Sequence, residues 1–336
     1  MKLLKINFRL TIGILVVVLV SLYFFLVDFN ETSLPGLNMT RIPDSIATST
    51  SKIYMTLAPK KSDNVGIYAF NFATQKIEEI YAPHHDVVIT SGISLDGNKI
   101  VASSNYYSED KSIYQFYLLD YSEGKKKIKQ ITESDTFSKR EPSWAPDGKK
   151  FAFMAQDSRR ELSMILADWS VYVTDLEGNE VFVTKGAHPL FLPDGRRLLV
   201  LKEDGLYLFD VDSMEGEIVL ALEEGKAVLN KQLDLSWSGK MLAWSFPRKG
   251  EMVLFKINSW EPFDLRMSHR INISAFWPTF SLDGRQLVVE EVDWDENKEE
   301  PEKPRLVYFD LKTMDKDFLI DLDDYKQDFM WIDGWR

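Results

Sequence analysis

The chain has 336 residues, 45% of them hydrophobic, including 21 Phe, 13 Tyr and 9 Trp, which suits a large core of tightly stacked elements. Its formal net charge of -12 at pH 7 argues against nucleic acid as a partner, because phosphate binding requires a basic surface. There is no cysteine, which excludes disulfides, thiolate metal sites and a cysteine nucleophile.

The N-terminus predicts a membrane anchor. Lys2, Lys5 and Arg9 precede an apolar run that covers residues 10–27. As a helix this run spans about 27 Å, close to the hydrocarbon core of a bilayer. A cleaved signal peptide is the alternative, but the run is long for one and no small-x-small cleavage site follows it. Because basic residues precede the run, we expect a single-pass protein of the cell membrane with residues 1–9 in the cytoplasm and the remainder outside.

The next segment, residues 28–51, is rich in Asn, Thr, Ser and Pro and has neither strand nor helix periodicity. We interpret it as a flexible tether. The remaining chain, residues 52–336, is organised by one repeat and is expected to form a single domain.

Copies of one short motif recur along this domain. The most complete copy is Glu141–Lys150, which contains Pro142, Trp144 and the dipeptide Asp147-Gly148. The other copies are residues 91–97, 188–196, 235–240, 277–285 and 329–334. Successive glycines of the motif are separated by 44 to 51 residues, the range of propeller blades. Asp-Gly between two apolar runs predicts a tight hairpin whose central residues have positive φ, which glycine accepts and aspartate tolerates.

Each hairpin is followed by two more predicted strands. The third strand of each unit ends in a polar residue followed by an apolar one, as in Tyr117 to Tyr121. Six third strands and six hairpins predict an all-β, six-bladed propeller of four-stranded blades, preceded by one transmembrane helix.

The repeat is out of register at the two ends of the domain. The first blade, with predicted strands Lys52–Ala58, Gly66–Phe72 and Lys76–Ile80, has no hairpin before it, and the last hairpin, Asp333-Gly334, has no strands after it. We therefore expect the C-terminal segment Gln327–Ile332 to close the ring as the innermost strand of the first blade, which removes an open sheet edge.

The Pro-x-aromatic-x-Pro-Asp-Gly-Lys pattern of Glu141–Lys150, with its variant in His188–Arg196, resembles the WD-like repeat of TolB-type six-bladed propellers, which also occurs in prolyl oligopeptidases. The resemblance covers nearly all of residues 52–336 and implies the fold. TolB-type proteins carry an additional α/β domain that this sequence does not show, so a Tol-Pal role is not implied. A peptidase is not expected, because the nearest string to Gly-x-Ser-x-Gly, Gly92–Asp96, lacks the final glycine.

The motif also predicts a candidate site. In a propeller the first strand of each blade lines the axis, so the residue before each Pro-x-aromatic unit should ring one mouth of the channel. The predicted ring is Thr90, Glu141, His188, Asp234, Trp277 and Asp328. Three carboxylates and one imidazole are suited to a divalent cation or to a basic group of a ligand, with Trp277 as a stacking surface. The alternative is that these residues solvate the channel or pair with nearby Lys and Arg; no other cofactor is expected.

Two classes of function agree with this sequence. The favoured one is a non-enzymatic binding or scaffold module, anchored in the membrane, whose loops meet a protein or glycan partner on the extracytoplasmic side. The other is a lyase or hydrolase that acts on a glycan or another polar substrate at the channel mouth.

Overall fold

A computed structural model describes residues 51–60, 65–83, 87–105, 113–158, 165–222, 233–292, 304–322 and 331–335 of the chain. These residues form six antiparallel four-stranded sheets. The prediction of an all-β, six-bladed propeller is thereby confirmed. Two short 3-10 turns, Leu166–Asp168 and Pro247–Lys249, complete the described secondary structure.

The first three blades follow one another along the chain. From the axis outward, blade 1 contains β24 (Trp331–Trp335), β1 (Lys52–Leu57), β2 (Gly66–Asn71) and β3 (Lys76–Tyr81). Blade 2 contains β4 (Val88–Ile93), β5 (Lys99–Ser104), β6 (Gln115–Asp120) and β7 (Lys127–Gln130). Blade 3 contains β8 (Phe137–Trp144), β9 (Lys150–Asp157), β10 (Ser170–Asp175) and β11 (Glu180–Lys185).

The last three blades repeat the same order. Blade 4 contains β12 (Ala187–Phe191), β13 (Arg197–Lys202), β14 (Gly205–Asp210) and β15 (Gly216–Ala221). Blade 5 contains β16 (Leu233–Leu235), β17 (Met241–Phe246), β18 (Glu251–Trp260) and β19 (Phe263–Asn272). Blade 6 contains β20 (Ala275–Phe280), β21 (Gln286–Glu291), β22 (Arg305–Asp310) and β23 (Lys316–Asp321).

The hairpins between first and second strands are wider than predicted. Ser94 N–H bonds to the Lys99 carbonyl, so four residues lie between the paired ends of β4 and β5. Only the turn glycines have positive φ, between 63° and 70° in all five described copies. The aspartate contributes through its side chain instead: the Asp147 carboxylate accepts the Lys149 N–H at 3.0 Å. Aspartate is therefore selected as a local hydrogen-bond acceptor and glycine as the left-handed residue.

A second side-chain-stabilised turn ends the third strands. The Asp210 carboxylate accepts the N–H groups of Asp212 and Ser213, and Asn71, Asp120, Asp175 and Asp310 act in the same way. Blade 5 has Lys256 at this position, and there β18 continues for four more residues to Trp260. The extended hairpin folds beside blade 4, where Glu261 pairs with Arg197 at 2.8 Å.

The C-terminus closes the ring, as predicted, but at a shifted position. The described strand is β24, Trp331–Trp335, rather than Gln327–Ile332, and it pairs with β1 through Met55 and Ile332. Asp333-Gly334 was predicted to be a turn and lies within this strand. The extended conformation allows this segment to pair with β1 through Tyr54 and Gly334 and through Ile53 and Trp335.

The core lies between the blades. Six clusters of buried apolar side chains each join one blade to its neighbour, and the cluster between blades 6 and 1 contains Tyr308, Leu306 and Met55. Because both faces of every sheet are covered, the blades are held by stacking around a closed circle.

Within the described ranges, no helix is long and apolar enough to cross a membrane. The predicted anchor, residues 10–27, and residues 28–50 of the predicted tether lie outside those ranges.

Candidate functional site

An axial cavity of about 100 Å³ lies where the innermost strands of all six blades converge. Its wall extends from the ring predicted from the motif to the turn residues Pro146, Pro193 and Trp237. The cavity therefore runs down to the face that carries the hairpins between first and second strands, which we call the hairpin face.

Five of the six predicted ring residues line this cavity, and the sixth, Asp328, lies outside the described residues. Thr90, Glu141, His188 and Trp277 each precede their turn glycine by seven residues. Asp234 precedes Gly239 by only five, so it lies two residues closer to the hairpin face than the other four. The blade 5 copy has no proline after this position, whereas Glu141, His188 and Trp277 each precede one.

Backbone strain marks three of these positions. Glu141, His188 and Trp277 have φ of 52°, 51° and 55°. All three lie at register shifts between the first and second strands of their blades, and each precedes a proline. Positive φ is uncommon for residues other than glycine and costs of order 1–3 kcal/mol. The bulge is thus a repeated feature that redirects one side chain in each of blades 3, 4 and 6.

Glu141 and His188 form a dyad across blades 3 and 4. The Glu141 carboxylate accepts a hydrogen bond from His188 Nδ1, and the imidazole is only 2% exposed. Since Nδ1 carries the donated proton, Nε2 is the other polar atom of the ring. In the described structure His188 Nε2 has no hydrogen-bond partner, and neither has the buried hydroxyl of Ser91, which lines the same cavity.

The other axial polar groups hold the blades together. The Asp234 carboxylate accepts the Phe280 N–H of blade 6 at 2.8 Å, and the Thr90 hydroxyl accepts the Glu141 N–H of blade 3 at 3.0 Å. Such bonds satisfy inner-strand N–H groups that face the axis. These side chains therefore have a structural role besides lining the cavity.

Asp333 was not predicted as a site residue. Its carboxylate accepts the Ser91 N–H at 2.9 Å and the Thr56 hydroxyl at 2.8 Å, and it lines the axial cavity. The ring signal was present in the sequence, because Asp333 belongs to the sixth motif copy. Asp333 was missed because Asp333-Gly334 was assigned to a turn and not to an axial strand.

Trp277 is largely covered by protein. It is 9% exposed and packs with Ile53 and Met55 in the cluster between blades 6 and 1, so little of its ring is available to stack on a ligand. Its indole hydrogen bonds to Glu290, and burial of this carboxyl group raises its pKa to about 8. A pKa this high means that Glu290 is protonated in the folded protein at neutral pH.

The cavity is lined by acidic side chains, one of which, Glu141, interacts electrostatically with the buried Arg140 guanidinium. The carboxylates of Glu141, Asp234 and Asp333 line it, and its described lining contains no Lys or Arg. Nowhere in the described residues are three or more His, Cys, Asp or Glu side chains grouped so as to hold a metal ion. The arrangement can thus attract a positive charge and offers hydrogen-bond acceptors for it.

Five apolar residues at the described turns of the hairpin face form what we call the apolar rim. It consists of the residue that precedes Asp-Gly, or Ser-Gly in blade 5, in each described turn: Leu95, Pro146, Pro193, Trp237 and Leu282. Leu95 is 38% exposed and Leu282 is 47% exposed. Exposed large apolar side chains at matching positions of a repeated turn are candidates for an interaction surface.

No protein-family model matches the chain, and no curated protein does. Solved structures share its fold. TolB from Acinetobacter baumannii aligns with a TM-score of 0.57 and 17% identity over 90% of this chain and 68% of that one. The fold is that of TolB-like six-bladed propellers.

Two further solved structures with this fold differ in their roles. An oligogalacturonate lyase in complex with manganese aligns with a TM-score of 0.54 and 14% identity over 77% of this chain and 71% of that one. A chain of a nidogen–laminin complex aligns with a TM-score of 0.57 and 11% identity over 85% of this chain and 97% of that one. At such identities the likeness concerns the fold alone.

Proposed function

We propose that this protein is a membrane-anchored, extracytoplasmic propeller that acts as a non-enzymatic binding module for an envelope or extracellular protein. Its partner docks on the hairpin face and inserts a lysine or arginine side chain into the axial cavity. The observation that carries this proposal is a cavity lined by three carboxyl groups that reaches the hairpin face, where each described turn presents an apolar residue.

The size of the cavity supports a side chain as its occupant. A volume of about 100 Å³ is well below the roughly 300–1,000 Å³ of typical small-molecule sites. The tip of one long side chain fits such a space, and three carboxylates favour a cationic one. His188 Nε2 and the Ser91 hydroxyl supply further hydrogen-bonding groups that the described protein leaves unsatisfied.

The rim supports a protein partner. Interfaces combine an apolar contact area with a few specific polar anchors, and the hairpin face has this arrangement. The nidogen–laminin complex is an example of a similar fold within a protein complex.

Photocrosslinking in native membranes tests the proposal. A photoreactive amino acid replaces Leu95 or Leu282 in the full-length protein, and crosslinked products are identified by mass spectrometry. We expect the same protein partner from both positions. The matched control is Ile218 on the outer strand of blade 4, which is also exposed, at 46%. A partner captured equally from Ile218, or no discrete product from the rim, would contradict docking on the hairpin face.

The cationic anchor has its own test. Glu141→Gln removes one negative charge but keeps an oxygen that can accept from His188. We expect N-acetyl-arginine amide, titrated calorimetrically into the full-length protein, to bind the variant about tenfold more weakly, since charged hydrogen bonds contribute roughly 1.5–3 kcal/mol. Calcium chloride serves as a second titrant for the divalent-cation hypothesis. Equal binding of the arginine derivative to both proteins would exclude Glu141 as its anchor.

One observation favours a second candidate, an enzyme that acts on a polar substrate in the cavity. A carboxylate on Nδ1 and an unpartnered Nε2 is the arrangement of an oriented general base. Methyl-esterified polygalacturonate is a suitable probe, because it is uncharged and a lyase yields an unsaturated product that absorbs ultraviolet light. Product formation that His188→Ala abolishes would favour the enzyme over the binding module.

A further inference from the structure

A second, larger cavity lies between blades 2 and 3. Its volume is about 470 Å³, within the range of small-molecule sites, whereas the axial cavity is not. One wall is the connection from blade 2 to blade 3, including Ile131 and Glu133, and the other belongs to blade 3 and includes Phe137 at the start of β8. Gly178 lies so close to this connection that a Cβ atom would stand 2.3 Å from the Ile131 carbonyl oxygen, so the two walls meet without an intervening side chain.

A buried ion pair lines the cavity. The Lys139 ammonium pairs with the Glu180 carboxylate, and the side chains are 3% and 27% exposed. Burial lowers the pKa of Lys139, and the hydrogen bond and charge of Glu180 oppose that effect. The ammonium also lies 5.7 Å from the centre of the Phe153 ring. An ammonium has three donors, and Glu180 is the one protein acceptor that the described structure gives Lys139.

Aromatic side chains stand next to these polar groups. Phe137 lines the cavity and is 37% exposed. Tyr172 also lines it and stacks on Phe153 at 5.5 Å with an angle of 15° between the rings. The cavity thus combines apolar aromatic surface with hydrogen-bond donors from Lys139 and acceptors from Glu180.

We propose that this inter-blade cavity binds a neutral pyranose ring of a glycan. A sugar has apolar C–H faces that pack on aromatic rings and hydroxyl groups that both donate and accept hydrogen bonds. The charges of Lys139 and Glu180 cancel, so the site has no net attraction for an anion or a cation from this pair. An anionic sugar is further disfavoured because Glu133 also borders the cavity. The proposal is independent of the axial cavity.

Saturation-transfer NMR tests it with methyl glycosides of glucose, galactose and N-acetylglucosamine at about 10 mM, a concentration suited to millimolar affinity. The full-length protein is kept in a detergent without a sugar headgroup. We expect transfer to at least one neutral glycoside and weaker or no transfer to methyl glucuronide. Absence of transfer to all three neutral glycosides, or transfer to the glucuronide alone, would overturn the proposal.

Two variants locate the binding. Phe137→Ala removes the exposed aromatic wall, and Glu180→Gln removes a charge and keeps an acceptor; we expect each to weaken binding by at least about fivefold. The matched control is Ile218→Ala, since Ile218 is an exposed apolar side chain on the outer strand of blade 4, at 46%, that does not line the cavity. Circular dichroism verifies folding of each variant. Unchanged binding by both folded variants, or equal loss in the control, would assign any observed binding to another site.

Discussion

Glu290 shows how one buried residue can make the stability of the ring depend on pH. Its side chain lies on β21 behind the axial wall, 6% exposed, with the Trp277 indole as its hydrogen-bond donor. Desolvation raises its pKa from 4.5 to about 8. Between these values the unfolded chain loses the proton and the folded chain keeps it, so the free energy of unfolding falls as pH rises through this window.

We therefore predict that Glu290→Gln removes this decrease in the free energy of unfolding at higher pH. Below about pH 4.5, Glu290 is protonated in both the folded and the unfolded wild type, so the variant and the wild type should have the same free energy of unfolding. Above about pH 8 the variant should be more stable by roughly 2–5 kcal/mol, at 1.36 kcal/mol per pKa unit. Urea unfolding across this range measures the difference. Glu79→Gln, at an exposed site on β3, is the control and should not change the pH profile. A Glu290→Gln profile parallel to wild type would show that Glu290 does not titrate as inferred.

At the scale of single elements, the hairpins depend on a side chain that caps the turn. In blades 2 and 6 the serine that begins the turn donates to the aspartate, Ser94 to Asp96 at 2.6 Å and Ser281 to Asp283 at 2.7 Å. Blade 5 has Ser238 in place of the aspartate, and its hydroxyl lies 3.2 Å from that of Ser236. The blade 5 turn therefore lacks the charged acceptor that its counterparts use.

We predict that Ser238→Asp stabilises the protein. The new carboxylate can accept from the Ser236 hydroxyl and from the backbone two residues on, which is worth about 1 kcal/mol, and the melting temperature should rise by about 2–4 °C. Thermal unfolding followed by circular dichroism is the measurement. Asp283→Ala is the opposite change in blade 6 and should lower the melting temperature by a similar amount. A fall with Ser238→Asp would mean that the blade 5 turn has a different geometry.

At the scale of the whole molecule, stability depends on closure. β24 supplies the innermost strand of blade 1 and buries Ile332, and Asp333 bonds to both β1 and blade 2. Removing this strand would leave β1 unpaired on one side and open the contact between blades 1 and 2 at the axis.

We predict that ending the chain after Met330 destabilises the entire ring. Loss of one buried isoleucine alone costs roughly 2–5 kcal/mol, and the unpaired edge adds to it, so the melting temperature should fall by about 10 °C or more. Calorimetry distinguishes destabilisation of the whole ring from local fraying, because a frayed end would leave the temperature of the main unfolding transition unchanged. Removal of Arg336 alone is the control. An unchanged melting temperature in the longer truncation would disprove the role of β24 in closure.

The predicted topology is also testable on the whole molecule. Protease added to spheroplasts should cut within residues 28–51 and release a compact fragment if the domain lies outside, as the basic residues before the predicted anchor favour. Changing Lys2, Lys5 and Arg9 to acidic residues should impair export and protect the domain. Protection of the wild-type tether would show that the domain lies in the cytoplasm.

The sequence by itself determined the number of blades, the position of five of the six predicted hairpins and four of the axial positions. The physical reason is that these features are local: the turn glycine, the capping aspartate and the bulge before proline recur at nearly constant spacing, as Glu141, His188 and Trp277 show. The C-terminal closure also followed from counting units, although its exact strand did not.

Only the tertiary structure decided which side chains meet. Asp333 reaches Ser91 across 242 residues of sequence, and Lys139 reaches Glu180 across the width of blade 3. The burial of Trp277 and the level of Asp234 within the cavity likewise depend on how neighbouring blades stack. The repeated motif specifies the same backbone conformation in each blade. The side chains that differ from copy to copy determine the contacts between blades.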